Sequence, residues 1–90
     1  MRYELEFYID GIENKSHLTD VLSCSGGSLE TVLKKLIKDY SEIDLNIVIW
    51  GEHGVKKGTL KLRKGMPPMF RENLKRTWRT VDARSGRIFV

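Results

Sequence analysis

The sequence predicts a single small α+β domain, an antiparallel sheet with two helices packed on one face. Three patterns carry that expectation. Apolar residues alternate at a period of two in several short segments. Two other segments carry apolar stripes at helical spacing. Segments of the two kinds interleave in the order β(β)αββαβ, which is ferredoxin-like without the bracketed strand and β-grasp-like with it. Ninety residues leave room for one modest core, so the domain spans 1–90.

Tyr3, Leu5, Phe7 and Ile9 alternate with Glu4, Glu6 and Tyr8 and define a first strand that Asp10-Gly11 ends. Leu18–Cys24 reads as a second strand paired with it, because a loop of roughly 18 residues is uncommon in a compact domain. Ser25-Gly26-Gly27-Ser28 interrupts the chain, and Ser28 is placed to cap a helix with its hydroxyl. Leu29, Val32, Leu33, Leu36, Ile37 and Tyr40 then form one stripe, predicting a helix over 29–40.

Leu45, Ile47 and Ile49 alternate next, followed by a turn at Gly51-Glu52-His53-Gly54 and a further strand at 59–63. These two strands are expected to pair. Pro68 suits the first turn of a helix, where its missing N–H costs nothing. Phe70, Leu74, Trp78 and Val81 recur at four, four and three residues, predicting a second helix over 69–80. Trp78 is expected to be the largest core-facing side chain on it. Arg87–Val90 reads as a last strand. The expected core is Leu5, Phe7, Ile9, Leu29, Leu33, Leu36, Ile37, Ile47, Ile49, Leu60, Leu62, Leu74 and Ile88.

The net charge of +4 is unevenly distributed. Residues 1–42 hold five basic and eight acidic side chains, a balance of −3. Residues 43–90 hold eleven basic and four acidic ones, a balance of +7. Such polarity steers a polyanion even when the total charge is small. The basic residues are Lys56, Lys57, Lys61, Arg63 and Lys64 around the expected hairpin, then Arg71, Lys75, Arg76 and Arg79 on the expected helix. Arg84 and Arg87 follow. Arg71, Lys75 and Arg79 are four apart and would share one helical edge.

On the sheet face away from the helices, Tyr8, Trp50 and Phe89 are expected among Lys61, Arg63 and Arg87. Aromatics ringed by cations form a surface on which bases stack and phosphates are held. The run Phe7-Tyr8-Ile9-Asp10-Gly11-Ile12 is loosely similar to the first-strand signature of the RNA-recognition motif. The matching segment Lys57-Gly58-Thr59-Leu60-Lys61-Leu62 has the basic residue and glycine but not the alternating aromatics, so the sequence assigns no family.

Catalytic signals are sparse. His17, His53 and Cys24 stand at no metal-ligand spacing, so no metal or cofactor is expected. Glu52 and His53 are adjacent in a glycine-flanked turn, but adjacency does not bring side chains together. Gly26-Gly27-Ser28 lacks the lysine and remaining glycines of a phosphate loop. One cysteine cannot form an intrachain disulfide, which predicts a reducing, cytoplasmic setting. Neither a signal peptide nor a lipidation motif is read at the ends, and no apolar run approaches a membrane span.

The leading expectation is a non-enzymatic binding protein whose basic half contacts nucleic acid or another polyanion. The alternative is an adaptor or inhibitor that docks on an acidic protein surface. A third is a metal-independent ribonuclease using Arg63, Arg84, Arg87 and His53. An edge strand would also let two copies pair as a homodimer.

Overall fold

In a computed structural model of the chain, residues 2–10, 16–40, 42–73 and 78–81 are described, with the backbone alone at Asp10 and 16–20. Strand β1 is Arg2–Asp10 and β2 is Ser16–Ser25. Helix α1 spans Leu29–Asp39. Strands β3, Leu45–Trp50, and β4, Lys56–Leu62, follow, then β5, Met69–Glu72, and β6, Trp78–Thr80. The six strands form one sheet in the order β2-β1-β3-β4-β5-β6, and every pairing is antiparallel.

The first three strands and α1 lie where the sequence places them, and β4 begins at Lys56, three residues before the expected 59–63. The bracketed strand is present and is longer than expected, pairing with β1 from Arg2↔Ser25 to Asp10↔Ser16 around one irregularity at Phe7/Tyr8. The β3–β4 turn closes through the Gly51 amide on the Val55 carbonyl at 2.7 Å. His53 and Gly54 adopt φ of 61° and 69° there, the left-handed geometry that lets the chain reverse.

Ser28 precedes α1, but its hydroxyl does not cap the helix. It donates to the Ser25 carbonyl at 3.1 Å. The 3-10 turn at Gly26–Ser28 brings that carbonyl within reach, and a local side chain–backbone bond competes with the cap.

The expected second helix over 69–80 is not formed, so the architecture of two helices on one face is corrected. The described residues contain one α-helix, and Met69–Glu72 and Trp78–Thr80 are strands. The reason lies in β4. Its edge away from β3 carries backbone groups that need partners, and β5 supplies them in the register Gly58↔Glu72 to Lys61↔Met69. Pro68 begins no helix. It stands just before β5, where a missing N–H is tolerated, and its carbonyl accepts the Val81 amide at 2.8 Å. The expected strand Arg87–Val90 lies outside the described residues.

The core lies between one sheet face and α1. Leu5, Leu33, Leu45, Ile47, Ile49 and Leu60 are essentially inaccessible, and Phe7, Leu36, Ile37, Leu62, Phe70 and Val81 complete the layer. Phe70 and Val81, read from the sequence as part of a helical stripe and not in the expected core, are buried there from strand β5 and from the residue after β6. Gly58 is required beneath the Phe70 ring: a Cβ there would lie 2.5 Å from both the Arg71 carbonyl oxygen and Phe70 Cζ. Ile9 departs from the expected core at 41% exposure; it borders an open depression with Ile43, Asp44 and Lys64. Leu29 packs partly buried against the core, while Leu74 and Ile88 lie outside the described residues.

Candidate nucleic-acid interface

The face of the sheet opposite α1 is assembled by register. Directly paired residues of an antiparallel ladder point to the same side. One row across the sheet is therefore Glu6, Val48, Thr59, Arg71 and Trp78. The next row is Tyr8, Asn46, Lys61, Met69 and Thr80. Trp50 lies opposite Glu4 and Lys56 at the far end.

These rows enclose a concave depression of about 600 Å³, walled by Tyr8, Asn46, Val48, Lys56, Gly58, Thr59, Lys61, Arg71, Asn73 and Trp78. A volume of this size suits a small organic ligand or one nucleotide unit. On its β4–β6 side, Lys61 Nζ stands 4.5 Å from the centre of the Trp78 ring. Arg71 Cζ stands 5.8 Å from the same ring. Trp78, expected on the core face of a helix, is thus a half-exposed ring with two cations over it on the open face. Its strand alternation decides this: Val81 is buried on the helix side, while Trp78, three residues earlier, points the opposite way.

The β1 side differs in charge. Glu6 accepts hydrogen bonds from Trp50 Nε1 and from the Tyr8 hydroxyl, the latter at 3.3 Å. Burial, and secondarily the Glu6 carboxylate, push the Tyr8 phenol above its ordinary range, since both disfavour a phenolate. Trp50 and Tyr8 therefore surround a carboxylate, not a basic cluster. Phosphate is favoured toward β4 and β5 and repelled at β1.

The basic candidates separate accordingly. Lys56, Lys61 and Arg71 line the depression. Arg63 is fixed beside it, donating to the Leu62 carbonyl at 2.8 Å, the Leu45 carbonyl at 3.3 Å and Asn46 Oδ1 at 2.9 Å. The Lys57 stem lies against Gly51. Lys64 borders the separate depression at Ile9, and its amide donates to Asp44 Oδ1 at 3.1 Å.

Arg79 pairs with Phe70 and so lies on the helix side of the sheet, whereas Arg71 pairs with Trp78 on the other. Arg71 and Arg79 therefore stand on opposite faces and not on the helical edge expected of them with Lys75. Lys75, Arg76, Arg84, Arg87 and Phe89 lie outside the described residues.

Among the described residues, the groups considered for catalysis do not converge. Arg63 and His53 flank opposite ends of the seven-residue β4, roughly 20 Å apart at the rise of a strand, too far to act on one phosphodiester. Glu52 turns to the Arg2 amide at 3.3 Å. Cys24 is buried against the core, and that burial pushes its thiol up despite nearby Arg2. Among the described residues no three potential metal ligands cluster, and no helix is long and apolar enough to cross a membrane.

No protein-family model, curated protein or solved structure matches the chain. The geometry of the sheet face therefore bears the functional argument.

Asn46, Val48, Thr59, Asn73 and Trp78 line the depression but were not among the site residues expected from the sequence. For Trp78 a signal exists. Trp78, Thr80 and Val81 read as strand residues once the period of two is preferred to the period of four.

Proposed function

We propose that the protein is a non-enzymatic module that binds nucleic acid on the outer face of its sheet, over β4 to β6. The observation that carries this reading is the Trp78 ring in the lining of the depression, with the Lys61 ammonium and the Arg71 guanidinium over it. An exposed cation–π contact contributes about 0.5–1 kcal/mol, whereas a base stacked on an aromatic contributes about 1–3 kcal/mol. A base can therefore displace a cation from the ring. The released ammonium or guanidinium then pairs with the adjoining phosphate, so little is lost in the exchange.

Lys56, Lys61 and Arg71 supply phosphate contacts, with Arg63 adding charge beside them. Glu6 limits the footprint at β1. A labelled oligonucleotide titrated at two salt concentrations tests the reading. Binding should weaken as salt rises, because each neutralised phosphate releases counterions. Reversing Lys61 and Arg71 to Glu should abolish it. Binding that ignores salt and both reversals would sink the proposal. Capture of a nuclease-resistant acidic protein, without any oligonucleotide binding, would replace it with a protein partner.

A further inference from the structure

We infer that the depression accepts one unpaired nucleotide, so that the protein selects single-stranded over duplex nucleic acid. This rests on the reading of the sheet face as a nucleic-acid surface and adds the form of the ligand to it.

The depression is a pocket set in the face, not a basic plane. Its rim carries cations at Lys56, Lys61 and Arg71, and its wall carries the Trp78 ring. A duplex keeps its bases stacked on one another, and it could meet Lys61 and Arg71 only through its phosphates. An unpaired base can leave its neighbours and lie on Trp78. Asn46, Thr59 and Asn73 line the same space and offer amide and hydroxyl groups to the edge of that base. Asn46 is held by Arg63 at 2.9 Å, so its carboxamide meets the ligand from a fixed position. The pocket thus brings an aromatic face, polar edge groups and phosphate-binding charge within the dimensions of one nucleotide. A surface read by charge alone has no need of the first two.

The test compares three fluorescein-labelled ligands at low and intermediate salt: a mixed-sequence single strand, its duplex, and the same single strand with abasic sites. The single strand should bind at least about tenfold tighter than either of the others. Trp78→Thr should weaken single-strand binding by roughly five- to hundredfold, the equivalent of one lost stack. It should leave duplex affinity and the salt slope unchanged. Trp50→Phe should leave all three affinities unchanged.

Lys61→Gln with Arg71→Gln should weaken all three ligands and flatten the salt slope. If Trp78→Thr fails to fold, the abasic strand on the unaltered protein decides alone. Equal affinity for intact and abasic strands, or for single strand and duplex, overturns the inference while leaving a phosphate-binding face. No binding of any ligand at low salt overturns the functional reading itself.

Discussion

Gly58 shows how a single residue supports the layer above it. A methyl at this position would meet backbone as well as the Phe70 ring, and the backbone oxygen cannot rotate away. Gly58→Ala should therefore cost about 1–3 kcal/mol, the usual range for overpacking. Gly27→Ala is the comparison, since a Cβ there meets nothing within 4 Å. It should stay within about 0.5 kcal/mol, and urea midpoints measured side by side check both.

Tyr8 makes a second prediction at this scale. Its phenol titrates above the ordinary 10.0 in the folded protein. As pH rises past 10, the unfolded chain loses the proton first, so the Tyr8 contribution to stability is present below that pH and is lost above it. Glu6→Gln should lower the midpoint of phenolate absorption only partway, because burial is the larger cause. Tyr8→Phe should remove that component from the titration altogether.

Among the elements, α1 is held by its packing more than by its termini. Its N-terminal serine does not cap, while Leu33, Leu36 and Ile37 are buried. Leu33→Ala should cost about 2–5 kcal/mol, whereas Ser28→Ala should cost less than the ~1 kcal/mol of a lost cap. Thermal melts of the two variants separate these outcomes.

The helix was legible because six apolar residues over 29–40 keep one helical face while Lys34, Lys35, Lys38 and Asp39 fall opposite. The β1, β3 and β4 alternations were legible in the same way. β5 and β6 were not, because Phe70, Trp78 and Val81 satisfy a helical stripe while Phe70, Arg71 and Glu72 also fit a short strand. Four- and three-residue strands are too brief for alternation to outweigh the longer pattern. The cost of that ambiguity fell on the candidate site, since it concealed the face on which Trp78 stands.

At the scale of the whole sheet, the charge split along the chain is carried into the strand order. Among the described strands, the order β2-β1-β3-β4-β5-β6 sets β1, with Glu4 and Glu6, on one side of β3 and Lys56, Lys57, Lys61, Arg71 and Arg79 of β4 to β6 on the other. A chain whose later strands returned between the earlier ones would have mixed the two. A ligand that binds only the folded state raises its stability by about 2.7 kcal/mol at a hundredfold excess over Kd. A single-stranded oligonucleotide should therefore raise Tm by roughly 10–20 °C for a domain of this size, and the rise should shrink with added salt.

By itself the sequence determined the charge polarity, the β1 alternation, the helix and the β3–β4 hairpin. Each depends on residues close together in the chain. Only the tertiary structure decided that the chain from Met69 to Glu72 extends the sheet, because the choice rests on unpaired backbone along β4. That same pairing set Trp78 beside Arg71 and Lys61. Proximity across three strands follows from register, and no periodicity within a single segment contains it.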